Sequence, residues 1–227
     1  MHSVNHPPAV PVLPQPRRFV TRNRLIAIAL LVVMGVLAFF LFGRTEVAQL
    51  STAEQMSKAG VQAGWTKGDI IVLVRHAERC DRSKGACLGE SDGITVAGSQ
   101  ASVLVGKGIS SLGLERTDVF ASPLTRTKQT AHYMFNQAPV TQDWVEQCKK
   151  SFTENVLSHK QPDRNLVLVT HSGCIDQVER QLGVAGGKRD SEYAQAFFLS
   201  VGTDGKAKIL GKTRASEWQK IMEKTGQ

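Results

Sequence analysis

The sequence has few cysteines, and none at metal-ligand spacing. There are four in 227 residues: Cys80, Cys87, Cys148 and Cys174. No two are separated by only two residues and no histidine pair accompanies them, which argues against a zinc site. The body of the chain also lacks the basic excess of a nucleic-acid binder. The formal charge is +8, but residues 1–68 hold seven Lys/Arg and two Asp/Glu (net +5), leaving 21 against 18 (net +3) over residues 69–227. A basic face on the folded part is therefore not expected. Charge is missing altogether between Leu25 and Phe42, a run of 18 residues. What remains is ordinary: 41% hydrophobic and 21% charged residues, in a length that fits one globular domain with appendages.

The N-terminal segment, His6-Pro-Pro-Ala-Val-Pro-Val-Leu-Pro-Gln-Pro16, cannot bury a core. With Arg17, Arg18, Arg22 and Arg24 it reads as a disordered basic tail over residues 1–24. Residues 25–43 then read as a transmembrane anchor, near the lower limit for a bilayer core of roughly 30 Å. A cleaved signal peptide leading to a soluble periplasmic protein is the alternative. Four arginines before the span against Arg44 after it place the N-terminus inside. The body would then lie across the inner membrane, in the periplasm. Residues 44–68 read as a stalk and packing arm with a short helix near Thr52–Gln62, and residues 69–227 as the catalytic domain.

Within that domain the apolar, β-branched run Ile70-Ile-Val-Leu-Val74 predicts a buried strand ending in Arg75-His76-Ala77-Glu78-Arg79. Thr95 is placed to cap a helix running to about Leu112. Asp118-Val-Phe-Ala-Ser122 predicts a second strand, with Pro123 at the first position of a helix that carries Arg126 and ends near Gln137. A short strand is expected within Pro139–Trp144, and a helix over Lys149–Lys160. Asn165-Leu-Val-Leu-Val-Thr170 predicts a further buried strand ending on His171, followed by a helix over 174–182. Two strands, 195–201 and 207–210, and a tail helix near 217–223 close the chain. Alternating strands and helices indicate an α/β fold, a three-layer α/β/α sandwich with a largely parallel central sheet, preceded by one transmembrane helix.

Ligands bind where such strands end, and Arg126 near a helix start offers a fork of donors to an anion. Three strand ends, at Arg75/His76, Ser122 with Arg126, and His171, are explained together by one pocket. The cysteines of an exported domain favour disulfides. The expected pairing is Cys80–Cys87, closing a loop over residues 81–86, with Cys148–Cys174; the two other pairings stay open.

Arg75-His-Ala-Glu-Arg79, Ile94-Thr95 with Gly98 and the neighbourhood of Gln100, Ser122-Pro-Leu-x-Arg126 with Thr130-Ala131, and Thr170-His-Ser-Gly173 resemble, in order, the histidine phosphatase (phosphoglycerate mutase-like) superfamily. The resemblance spans about residues 69–185. Arg75 to Ser83 with Cys87-Leu88 and Gly93-Ile-Thr-Val96 is similar to the lipopolysaccharide core heptose(II)-phosphate phosphatases, which share the N-terminal apolar segment and the four-cysteine pattern. That likeness is closest between Val74 and Gly98.

The resemblance implies that His76 attacks phosphorus and carries a phosphohistidine. Arg75, Arg79, Arg126 and His171 would bind the phosphoryl group and neutralise its transition-state charge, His171 as a protonated donor. No metal and no cofactor is implied. The general acid is the departure from the family pattern: Gln147 aligns with the usual glutamate and Glu146 lies beside it. Glu146 is therefore the candidate acid, with a solvent-facing glutamate as the alternative, and Glu78 a further candidate or a brace for an arginine. The implied substrate is a phosphorylated sugar of the lipopolysaccharide core, with contacts from the Cys80–Cys87 loop and residues 183–195, including Lys188 and Arg189. A phosphohistidine protein phosphatase, a broad acid phosphatase, and an inactive membrane-anchored phosphate-binding module are the competing readings.

Overall fold

A computed structural model describes residues 18–42 and 45–223, and in the first stretch the side chains of residues 22–37. The chain forms two compact units, residues 1–44 and 45–227.

The first unit contains helix α1 (Arg18–Phe42), whose described side chains are all exposed, including Leu25, Leu31 and Val33. Residues 18–24, expected in a disordered tail, are thus helical, while residues 1–17 of that tail lie outside the described residues. Among the described residues no helix is long and apolar enough to cross a membrane. The expected span of 25–43 extends past the last described side chain at Leu37.

The second unit is a six-stranded sheet of order β3-β2-β4-β1-β5-β6 with helices on both faces. Its strands are β1 (Ile70–Arg75), β2 (Thr117–Ala121), β3 (Val140–Thr141), β4 (Asn165–Thr170), β5 (Ala196–Val201) and β6 (Ala207–Thr213). The first four in spatial order run parallel, but β5 is antiparallel to β1 and to β6. The sheet is therefore mixed rather than largely parallel. The tight turn at residues 202–205 joins β5 directly to β6, and so short a connection can only reverse the chain.

The central strands are apolar throughout because helices cover both sides. Side chains alternate across a strand, so Val72, Val74, Val167 and Val169 join one core while Ile71, Leu73, Leu166 and Leu168 join the other. The first core lies beneath α4 (Val96–Ser110), α5 (Thr125–Phe135) and α8 (Trp218–Glu223); the second lies beneath α6 (Phe152–His159) and α7 (Ser172–Gln181). Helices α4 and α5 approach closely at Gly106, where any Cβ would fall 1.8 Å from the Met134 carbonyl oxygen.

Residues 45–68 act as a packing arm rather than a free stalk. Helices α2 (Ala53–Lys58) and α3 (Val61–Lys67) bring Met56, Val61 and Trp65 into the first core, joined by Leu50. Elsewhere the element boundaries differ by a few residues. Pro123, expected at the first helical position, lies two residues before α5 begins at Thr125, with Leu124 as its cap, and the expected third strand shortens to two residues.

Candidate active site

Strand register gathers the site. Arg75 of β1 pairs with Thr170 of β4, and Ala121 of β2 pairs with Val169. The residues that follow, His76, His171 and Ser122, therefore leave the sheet at one edge. Backbone bonds continue the pattern, His76 N–H donating to Thr170 O (2.9 Å) and Ser122 N–H to Val169 O (3.1 Å).

His76 is only 4% exposed. Its Nδ1 lies 2.9 Å from the Ala77 carbonyl oxygen, which can only accept, so Nδ1 carries the proton and Nε2 keeps a free lone pair. Burial, with His171, Arg126 and Arg75 nearby, pushes the imidazole down to about 3. The following peptide is fixed in turn: Ala77 N–H donates to Thr130 Oγ1 at 2.9 Å, and Thr130 Oγ1 donates to the Arg126 carbonyl at 2.7 Å. One hydroxyl thus ties the His76 loop to the first turns of α5, where Arg126 sits.

The two histidine rings are 5.4 Å apart. His171 Nε2 lies 2.9 Å from Ser122 Oγ, which lies 2.9 Å from Thr127 Oγ1. Burial, then Arg126, Arg79 and Arg75, pushes His171 down to about 4. Without a bound anion His171 is therefore neutral at neutral pH, and the protonated donor is expected only with a phosphoryl dianion in place. A bound dianion would act in the opposite direction.

Arg75 and Arg126 both act electrostatically on His76 and His171, and each has a buried Nε–H without a hydrogen-bond partner. Arg75 is oriented by the Ser191 carbonyl (2.5 Å) and by the Tyr193 ring, whose centroid lies 3.9 Å from the guanidinium carbon. Arg79 is held differently, by both oxygens of Asp81, through Nε at 2.8 Å and through Nη2. Asp81 and Asp92 are carboxylates that act electrostatically on both Arg79 and Arg126.

Glu78 accepts from Thr95 Oγ1 at 2.8 Å, while Thr95 Oγ1 accepts from Gly98 N–H and caps α4. It braces a helix start rather than an arginine. Gly98 permits that contact, since a Cβ there would lie 3.0 Å from Glu78 N. Glu146 ends the 3₁₀ turn Asp143–Glu146, exposed and without a side-chain hydrogen bond among the described residues.

Tyr193 and Ser191 belong to no motif, and sequence places them only within the broad window of 183–195. They precede β5, whose antiparallel pairing to β1 returns them to the Arg75 end of the sheet; only the pairing direction could have revealed this.

The cysteines divide. Cys148 and Cys174 form a disulfide, Cα atoms 4.2 Å apart, joining the 3₁₀ turn region to α7. The expected Cys80–Cys87 bond is absent: both are free thiols. Cys80 is buried and donates to the Ile94 carbonyl at 3.1 Å. Burial and the neighbouring Cys87 push it up to about 11. Backbone bonds close the loop instead, from Cys80 N–H to Gly93 O and from Leu88 N–H to Ile94 O.

The fold is that of the histidine phosphatases. The protein histidine phosphatase SixA complexed with tungstate superposes with a TM-score of 0.50 at 11% identity, covering 65% of this chain and 97% of that one. The phosphoserine phosphatase of Entamoeba histolytica in complex with 3-phosphoglyceric acid gives 0.51 at 13% identity, covering 66% and 98%.

By sequence the chain is similar to the lipopolysaccharide core heptose(II)-phosphate phosphatase of Escherichia fergusonii, 34% identical over 131 residues, covering 56% of this chain and 64% of that protein. The protein of that name from Salmonella typhimurium is 33% identical over 133 residues, covering 57% and 65%. The chain thus spans just under two thirds of these curated relatives. No family model matches it.

Proposed function

We propose that this protein is a phosphomonoesterase working through a phosphohistidine, and that its substrate is a phosphorylated heptose of the lipopolysaccharide core. The observation that carries the reading is His76: buried, uncharged, its Nδ1 proton fixed on a carbonyl, and set beside unpartnered Arg75 and Arg126 donors. Nε2 attacks phosphorus, a P–N bond forms, and the P–O bond to the sugar breaks. Arg75, Arg126 and His171 hold the equatorial oxygens, and Arg79 joins them on release from Asp81. The leaving oxygen takes a proton from water or from Glu146. Water attacks the phosphohistidine, surrenders a proton, frees phosphate and restores His76.

The sugar substrate is supported by the names of the sequence relatives, and the protein phosphatase reading by SixA. An inner-membrane anchor over residues 25–43, with the body in the periplasm, is supported by the uncharged run Leu25–Phe42 and the arginines before it. The full chain in detergent should hydrolyse an aryl phosphate, and His76→Ala should lower turnover by on the order of 10⁶; unchanged turnover overturns the mechanism. Mass analysis of lipopolysaccharide from a deletion strain should show a gain of core phosphate, whereas an unchanged core overturns the substrate.

A further inference from the structure

Beside the phosphate pocket lies a second cavity of about 240 Å³, lined by Ser172, Gly173, Asp176, Glu179, Arg189, Asp190 and Ser191. Two of its residues neighbour residues of the His76 site. Ser172 follows His171 directly, and the Ser191 carbonyl is the one that orients Arg75.

Its polar groups are incompletely satisfied. Glu179 is 1% exposed, and its Oε1 is buried with no hydrogen-bond partner. Arg189 has two buried donors, Nε and Nη1, likewise without hydrogen bonds, although Asp176 lies 3.5 Å from Nε. A buried polar group left unpaired is costly, and native structures hold few of them.

The charges around the cavity narrow what could fill it. Asp176 is paired with Arg180 at 2.7 Å as well as facing Arg189. Lys212 donates to the Asp190 carbonyl at 3.0 Å and pairs with its carboxylate. Burial, against the opposing pull of Lys212, pushes Glu179 up to about 7. A cation would meet two carboxylates already paired with cations, Asp176 and Asp190, and a Glu179 that burial keeps protonated to about pH 7. A phosphate would meet three carboxyl groups. A neutral ligand with several hydroxyls meets matched donors in Arg189 and a carboxyl in Glu179 that can accept or, protonated, donate. The volume lies below the roughly 300–1,000 Å³ of drug-sized pockets, which suits one sugar ring rather than a larger group.

We infer that this cavity is a binding site for a neutral monosaccharide unit, held by Glu179 and Arg189 next to the phosphate pocket. As the seat of the substrate's own sugar it rests on the phosphatase reading; as a sugar site it does not.

The test uses the full chain in detergent with mannose as probe, read by saturation-transfer NMR and therefore independent of turnover. Mannose should bind, and inorganic phosphate, which fills the Arg75–Arg126 pocket, should not displace it. Arg189→Ala and Glu179→Leu should each weaken binding at least about tenfold, because each deletes a polar partner, while Glu179→Gln should retain it. Where Glu179→Leu loses its cooperative melting transition, Arg189→Ala, whose side chain reaches the surface, decides. No transfer to mannose with folded wild type, displacement by phosphate, or undiminished binding in Arg189→Ala overturns the inference.

Discussion

The phosphate pocket and the cavity beside it share the start of α7 and the Ser191 segment, yet burial acts on them with opposite sign. In the pocket it strips charge from bases. His76 and His171 fall to about 3 and about 4 because they are buried and the charges near them are arginines. In the cavity it strips charge from an acid, and Glu179 rises to about 7. The pocket keeps its unpartnered donors on cations of one sign, in Arg75 and Arg126. The cavity mixes Arg189 and Lys212 with Asp176 and Asp190. One is built to be completed by an anion, the other by a neutral group. Two neighbouring spaces made from the same helix and loop therefore select different chemistry through charge balance rather than shape.

The difference can be broken first at Arg126. Arg126→Ala should cost roughly 3–4 kcal/mol of barrier, a fall of about 10²–10³ in kcat on an aryl phosphate, as expected for loss of one transition-state donor. A loss of tenfold or less would show that the pocket does not depend on its single-sign charge. Next comes the disulfide that holds the start of α7. Cys174→Ser opens the Cys148–Cys174 bond, which should lower stability by about 3 kcal/mol, read as a reduced denaturant midpoint. Cys87→Ser, removing an exposed free thiol, should leave the midpoint within about 0.5 kcal/mol.

A pH series sharpens the sign argument. Glu179 holds its proton to about pH 7 when folded but to about 4.5 when exposed. The folded state thus binds more protons in that window, and stability must fall as pH rises from about 4.5 to 7. Each unit is worth roughly 1.4 kcal/mol, so the total is at most a few kcal/mol. Glu179→Gln should flatten this slope in a pH series of chemical denaturation, and an unchanged slope would show that Glu179 is ionised in the fold.

The strands and the residues Arg75, His76 and His171 were legible because an apolar run that stops abruptly on polar or charged residues marks a buried strand leaving its sheet, and Arg126 because it opens the helix that follows one. The mixed sheet was not legible. Phe197 and Leu199 look alike in parallel and antiparallel pairings, and the short return at residues 202–205 fixes β6 against β5 but not β5 against β1. Arg79 was legible as a residue but not in its state, since Asp81 two positions later competes for the same guanidinium. The Cys80–Cys87 bond was expected from loop length; the two thiols are neighbours but free, and Cys80 donates to the Ile94 carbonyl.

Residue type and periodicity were enough to specify the α/β alternation, the covered strands and the identity of the pocket histidines, because each of these is written along one segment of chain. The protonation of His76 and His171, the satisfaction of Arg79 and the existence of the cavity at Glu179 were set only by the folded arrangement. They depend on which charges and carbonyls lie within a few ångströms across distant parts of the chain. Strand pairing fixes those distances, not spacing along the sequence.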